Sequence, residues 1–151
     1  MTGVQTCALP ISDFPASHRL LAAAYVQLGD ARAGIRHLES TTSILSDPPT
    51  LACLAHAHAA DGNRTRALEI LGELDRLAER RYVSRYYRAV AWTGLGDFDR
   101  AFALLSCACD DRDPAIMLLC TEPRFTPLRD DARFSALTER LGFEREMTAH
   151  V

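Results

Sequence analysis

The sequence contains no lysine, so its 17 basic side chains are all arginines, set against 20 aspartates and glutamates. The formal net charge of -3 therefore excludes a general attraction to nucleic acid. Valine and isoleucine are scarce at five each, whereas alanine and leucine number 23 and 20, a balance that favours helix over sheet. No apolar run approaches the roughly 20 residues that a membrane-spanning helix needs. The composition predicts an all-α globular protein.

Three glycines recur at spacings of 33 and 34 residues, and their surroundings repeat with them. The glycines are Gly29, Gly62 and Gly96. An alanine lies seven residues before each glycine, a ring-bearing side chain four before, a small residue five after and a leucine nine after. These columns are Ala22, Ala55 and Ala89; Tyr25, His58 and Trp92; Gly34, Ala67 and Ala101; and Leu38, Leu71 and Leu105. Four columns at one period predict a repeated structural unit.

Each repeated glycine is typical of a turn between two helices. Glycine permits the left-handed backbone that ends a helix. The next residue is Asp30, Asn63 or Asp97, whose side-chain oxygen can accept from the free amides that open the following helix. Small residues such as Ala22 and Gly34 allow the two helices to approach closely. Because one such hairpin cannot bury its own apolar face, we expect neighbouring hairpins to stack.

This pattern resembles the tetratricopeptide repeat, a 34-residue helix-turn-helix unit, over residues 14–113. Departures from the family pattern are His58 in the aromatic column, Gly34 in the alanine column, and His18, Leu51 and Arg85 where the family has a tryptophan. The resemblance implies a right-handed α-solenoid of about three units, at about 15–47, 48–81 and 82–113 within an array at 13–113. We expect helices near 15–28, 31–45, 49–60, 64–80, 83–94 and 98–109.

The period stops after Asp113, and residues 114–143 are interpreted as capping helices that cover the last apolar face. A short helix is expected at 114–119 and a last one at about 131–141, separated by a turn-rich stretch that holds Phe125 and Leu128. Residues 144–151 are expected to be a disordered tail. The amino-acid sequence of the cap resembles the closing segment of bacterial multidomain regulators that carry such repeats.

The first eleven residues, MTGVQTCALPI, stand apart from the rest. They lack the basic start and long apolar stretch of a secretory signal. They resemble the read-through translation of a sequencing adapter. Residues 1–12 are therefore expected to be a non-native or disordered leader, and a genuine polar leader is the alternative.

Catalytic and metal-binding patterns are weak. The sequence has no glycine-rich phosphate loop and no nucleophile elbow. Cys53, His56 and His58 form the best metal candidate, yet His58 points away from His56 on a helix. The favoured alternative is that Cys53 packs, His58 lies between helices and His56 faces a groove. We expect no cofactor and no enzymatic activity.

The other cysteines and a run of acids have structural interpretations. Cys107, Cys109 and Cys120 are expected to be small buried hydrophobes, reduced in the cytoplasm. Asp110, Asp111 and Asp113 lack the spacing of a calcium loop and are expected in a solvated loop.

One basic cluster interleaves arginines with tyrosines, a combination that can grip RNA or phosphate. It comprises Arg76, Arg80, Arg81, Arg85, Arg88, Tyr82, Tyr86 and Tyr87. Glu73, Asp75 and Glu79 lie nearby, so a solvated corner of ion pairs is the favoured alternative. Nucleic-acid binding through this segment is not expected.

The resemblance implies a partner-binding groove on the concave face built from the first helix of each unit. Its family positions fall on Arg19, Ala23, Val26, Gln27, Ala52, His56, Ala59, Ala60, Tyr86, Val90 and Thr93. Arg19, Gln27, His56 and Tyr86 would be its polar handles. The expected function is non-catalytic binding of a peptide or protein segment. The structural alternative is that neighbouring units or a lost upstream domain fill the groove. A second hypothesis is the truncated C-terminal regulatory region of a bacterial signalling protein, such as a winged-helix regulator, a protein kinase or a nucleotide cyclase.

Overall fold

The computed structural model describes residues 14–41 and 47–143, and within these ranges every regular element is helical. Six α-helices form three consecutive pairs: α1 (Pro15–Gln27) with α2 (Ala31–Ser40), α3 (Pro48–Ala60) with α4 (Arg64–Ala78), and α5 (Arg85–Gly94) with α6 (Phe98–Asp110). Two 3₁₀ helices (Pro114–Leu118 and Pro123–Leu128) and α7 (Ala132–Arg140) follow. In the part of the chain that the structure describes, no helix has the length and apolar character that crossing a membrane requires.

The three predicted turns are confirmed and share one hydrogen-bond pattern. The glycines have φ angles of +83°, +82° and +73° in chain order. The amide of the residue after each glycine donates to the backbone carbonyl of the ring-bearing residue four positions before the glycine. These distances are 2.9 Å to Tyr25, 2.9 Å to His58 and 3.1 Å to Trp92. The side chains of Asp30, Asn63 and Asp97 then accept from the third amide of the following helix at 3.0–3.1 Å. Local sequence alone therefore fixes how each pair is joined.

The same turn recurs twice beyond the predicted period. Arg112 has a φ of +54°, and the amide of Asp113 donates to the carbonyl of Ala108 at 2.9 Å. Gly142 has a φ of +75°, and the amide of Phe143 donates to Thr138 at 3.0 Å. Helices α6 and α7 thus end as α1, α3 and α5 do.

The predicted columns lie where helices meet. Ala22, Ala55 and Ala89 are at most 1% exposed, and Leu38, Leu71 and Leu105 at most 2%. A Cβ built on Gly34 would lie 3.0 Å from the carbonyl oxygen of Ala22, so α2 approaches α1 closely, and an alanine here would need the helices to move apart by a few tenths of an ångström.

Neighbouring pairs pack into one continuous apolar interior. Helix α3 contacts α1, α2 and α5, and α4 also contacts α5. The buried residues form two clusters, one under α1–α4 and one from α5 to α7, and Tyr87 and Trp92 pack against both. Consecutive pairs therefore contact one another, and α3 is the most enclosed helix of the described residues, with nine of its 13 residues buried, whereas much of α4 is exposed.

Several expectations need comment. Helix α2 ends at Ser40; the expected extension to 45 reaches residues outside the described ranges. The leader at 1–12 and the tail at 144–151 also lie outside them. The expected helix at 114–119 is a 3₁₀ helix, and the turn-rich stretch contains a second one.

Two predictions about exposure were wrong. Cys107 is exposed, and Cys109 and Cys120 are only partly buried. Asp113 is not solvated but 3% exposed, since its carboxylate accepts from the Ser84 hydroxyl at 2.6 Å and from the amide of Ala115 at 3.0 Å.

Candidate functional site

The predicted groove residues lie on the first helices of the three pairs, and we call this surface the first-helix face. It comprises Arg19, Ala23 and Gln27 on α1, Ala52, His56 and Ala60 on α3, and Tyr86, Val90 and Thr93 on α5. Its centre is buried: Ala52, Tyr86 and Val90 are fully enclosed, and His56 and Thr93 are 7% and 5% exposed. Gln27 and Ala60, at the ends of their helices, are exposed. The face is therefore covered at its centre and open at its edge.

The cover is residues 119–128 of the same chain, which we call the crossing segment. Its 3₁₀ helix, Pro123–Leu128, packs against α5 and reaches α1. Phe125 is fully buried and meets the Tyr86 ring edge-on, with 5.4 Å between the ring centroids. Leu119 and Leu128 are fully buried as well, so the segment is held by three apolar anchors.

A buried ion pair fixes the middle of the crossing segment. Arg124 donates from Nε to Oε1 of Glu122 and from Nη2 to Oε2, both at 2.7 Å, and the side chains are 8% and 10% exposed. Arg124 Nη1 lies 2.8 Å from Cys53 Sγ on α3, and the Tyr86 hydroxyl donates to Glu122 at 3.3 Å. Burial pushes the pKa of Glu122 upward, but the hydrogen bonds and charge of Arg124 hold it below its usual value. The carboxylate is thus kept ionised in a largely apolar setting.

His56 is held neutral beneath this pair. Burial, with a contribution from the charge of Arg124, lowers the pKa of His56 to about 4. Its ring packs against Gly94, where an added Cβ would lie 2.8 Å from His56 Cδ2. Burial likewise raises the pKa of Tyr86, so its hydroxyl stays protonated and remains a donor. At neutral pH neither group is poised for proton transfer.

Arg19 has a different role from the expected free handle. Its Nη1 lies 2.8 Å from Oδ2 of Asp47, and its guanidinium lies 6.0 Å from the centroid of the Tyr87 ring. Asp47 opens α3 by accepting from the amide and hydroxyl of Thr50. Arg19 therefore ties α1 to the start of α3 at the rim of the face.

The expectation of a shallow groove with four open polar handles is thus corrected. Of those handles only Gln27 is exposed; His56 and Tyr86 are buried and Arg19 is ion-paired. The crossing segment buries His56 and Tyr86, and its position depends on contacts between residues that are 36 and 71 positions apart in the sequence. Glu122 and Arg124 were not singled out from the sequence. Phe125 and Leu128 were expected in the cap over the last pair, and they do lie in the buried cluster of α5–α7; the reach of the segment to α1 and Cys53 was not predicted.

The three residues of the metal candidate, Cys53, His56 and His58, each make separate contacts. Cys53 faces Arg124, and His56 packs on Gly94. Both ring nitrogens of His58 are buried without a hydrogen-bond partner, although Nε2 lies 3.8 Å from Glu39. Burial lowers the pKa of His58. Among the described residues, no group of three or more metal-ligating side chains comes together.

The basic cluster is divided between a surface corner and the interior. Arg85 pairs with Asp111 and Arg88 with Asp75. Tyr86 points into the covered face, whereas Tyr82 is 67% exposed. The pattern of ion pairs agrees with the corner rather than with a continuous arginine and tyrosine surface.

Comparison with family models, curated proteins and solved structures finds no match to this chain.

Proposed function

We propose that this protein is a non-catalytic interaction module that binds an extended protein segment on its first-helix face. The observation that carries the proposal is that this face already holds such a segment, the chain's own residues 119–128. A row of helices that accepts one irregular stretch of chain has the shape and the small side chains needed to accept another.

The contacts of the crossing segment indicate what the face recognises. Phe125 supplies an aromatic anchor against Tyr86, and Arg124 reaches across to Cys53 on the neighbouring pair. Because Glu122 neutralises Arg124 within the segment, the helices need not provide a charge of their own. We expect a partner segment that combines an arginine, a nearby acid and an aromatic residue.

The proposed architecture is a right-handed solenoid of the tetratricopeptide type, with the first-helix face on its concave side. The three identical turns and the stacking of consecutive pairs support this assignment. In such arrays the first helices line the inner surface, which is suited to extended ligands.

The absence of catalysis remains part of the proposal. Its support is that the ionisable side chains at the face are engaged with each other: Glu122 pairs with Arg124, and burial keeps His56 neutral. An acid–base mechanism requires a group whose pKa is near the working pH and that can reach a substrate.

A peptide that copies the crossing segment tests the binding proposal. The double variant Glu122→Ala and Arg124→Ala removes the polar anchor without leaving an unpaired buried charge. We expect a labelled peptide of residues 119–131, with serine at position 120, to bind this variant at least tenfold more tightly than the original chain, because the segment then keeps only its apolar anchors and is displaced more easily. Fluorescence anisotropy gives the two dissociation constants, and circular dichroism confirms that the variant is folded.

The chain offers a matched control in an exposed pair of the same chemistry. Asp131 and Arg133 also form an acid–x–Arg ion pair, at 2.8 Å, but lie outside the face. The variant Asp131→Ala and Arg133→Ala is expected to leave peptide affinity unchanged, and a peptide with alanine in place of Arg124 is expected not to bind. A folded Glu122→Ala and Arg124→Ala variant that fails to bind the peptide would overturn the proposal.

A further inference from the structure

Helix α1 carries an exposed apolar stripe on the side opposite its buried Ala22 and half-buried Val26. We define the α1 stripe as Ser17, Leu20, Leu21 and Ala24, which fall within about a third of the helix circumference at 100° per residue, together with Phe14 and Leu28, which flank the helix. Phe14, Leu20, Leu21 and Leu28 are 65%, 73%, 44% and 83% exposed. Such a concentration on one short helix exceeds the scattered apolar residues of an ordinary surface.

The internal repeat shows what this side of a first helix does elsewhere in the molecule. A shift of 33 residues places Leu20, Leu21 and Ala24 on Cys53, Leu54 and Ala57 of α3. Those three residues are 4%, 3% and 1% exposed and belong to the buried cluster under α1–α4, and Cys53 also faces Arg124 of the crossing segment. The stripe therefore occupies positions that are buried in the second helix pair.

The stripe also carries no charge that would favour contact with water or with a charged partner. The one charged side chain of α1 is Arg19, which lies on the other side of the helix and is bound to Asp47. Serine and alanine at positions 17 and 24 leave room for a close approach of another helix.

We propose that the α1 stripe is a self-association surface that pairs with the same stripe of a second copy of this chain. Phe14 and Leu28 each lie seven residues from Leu21, so an antiparallel pairing places Leu21 on a two-fold axis and sets Phe14 against Leu28 of the partner subunit. The surface is thus complementary to itself.

The exposed area is sufficient for such a contact. With about 180–200 Å² for a fully exposed leucine or phenylalanine, the four large side chains present roughly 500 Å² on each copy. Two copies would bury at most about 1,000 Å², below the roughly 1,200–2,000 Å² of stable interfaces and within the size range of weak ones. We therefore expect a dimer that dissociates on dilution.

Analytical ultracentrifugation between about 1 and 200 μM measures the association directly. The original chain is expected to reach twice the monomer mass at high concentration, and Leu21→Glu is expected to remain monomeric. Leu118→Glu is the matched control, because Leu118 is 49% exposed on the first 3₁₀ helix and lies off the stripe. A monomeric original chain throughout this range, or a dimer that survives Leu21→Glu, would overturn the proposal.

Cross-linking tests the two-fold arrangement. Leu21→Cys is expected to form a disulfide with its own copy under mild oxidation, identified by peptide mass spectrometry. Gln27→Cys, exposed on the same helix but outside the stripe, is expected to form none. A dimer in which the Leu21→Cys bond does not form, or forms no faster than that of Gln27→Cys, would contradict the antiparallel pairing.

Discussion

At the residue scale, the structure depends on where glycine takes the place of a residue with a side chain. Gly94 ends α5 against the ring of His56, and its conformation is an ordinary helical one, so steric space alone explains the glycine. Gly72, inside α4, has nothing within 4 Å of the position where a Cβ would lie. Packing therefore explains the glycine at position 94, whereas no packing contact explains the glycine at position 72.

This contrast yields a paired substitution. Gly94→Ala forces a methyl group into the contact with His56 and is expected to lower the free energy of unfolding by about 1–3 kcal/mol. Gly72→Ala is expected to raise it by about 0.5–1 kcal/mol, because alanine restricts the unfolded chain and favours the helix. Urea unfolding measures both changes, and shifts of the same sign would contradict the packing described for Gly94.

The buried His56 predicts a pH dependence of stability. Because its pKa is lowered to about 4 in the folded state, the unfolded chain binds the proton more readily, and stability is lost as the pH falls from about 6.5 toward 4. Between pH 7.5 and 5.0 this one group is expected to cost about 2 kcal/mol. Burial also lowers the pKa values of His37 and His58, which act in the same direction.

Unfolding titrations of variants isolate the contribution of His56. His56→Gln is expected to remove most of the loss between these two pH values, whereas His37→Gln is expected to remove little, since His37 is only half-buried. An unchanged pH dependence in His56→Gln would show that the histidine is accessible to solvent and would argue against a covered face.

At the element scale, the helix pairs were predictable because their determinants are local. The glycine, its alanine and ring-bearing neighbours, and the capping Asp30, Asn63 or Asp97 lie within a dozen residues of one another, and the hydrogen bonds that join them follow directly. The turn at Arg112 was not predicted because an arginine occupies the left-handed position that glycine occupies in the other turns. Its backbone bonds repeat the others nonetheless.

Replacing Arg112 with glycine should therefore stabilise this turn. A non-glycine residue in this conformation costs about 1–2 kcal/mol, so Arg112→Gly is expected to gain roughly 0.5–1 kcal/mol after the added freedom of the unfolded chain is subtracted. For a chain of this size the melting temperature would rise by about 1–4 °C. Gly29→Ala, at a φ of +83°, is the converse control and is expected to lower it. A lower melting temperature for Arg112→Gly would mean that the arginine side chain contributes contacts that exceed the backbone cost.

At the scale of the whole molecule, the decisive feature is the one that the sequence pattern did not place. The crossing segment has no helical period, and its polar anchor joins Arg124 to a cysteine 71 residues earlier. Phe125 and Leu128 lie in the buried cluster of α5–α7, as expected of a cap, but local propensity cannot show that the segment also reaches α1 and Cys53. The position of the segment is set by tertiary contacts: the edge-on packing with Tyr86 and the buried Glu122–Arg124 pair.

The central claim, that residues 119–128 cover the first-helix face, is tested most directly by the alkylation rates of the natural thiols. Cys53 is 4% exposed and faces Arg124, whereas Cys107 is exposed. Peptide-resolved mass spectrometry is expected to find Cys53 at least 100-fold slower than Cys107. Glu122→Ala with Arg124→Ala should accelerate the alkylation of Cys53 but not that of Cys107, while Asp131→Ala with Arg133→Ala should accelerate neither. Equal rates for the two thiols in the original chain, or a Cys53 rate that ignores the loss of the Glu122–Arg124 pair, would contradict the account.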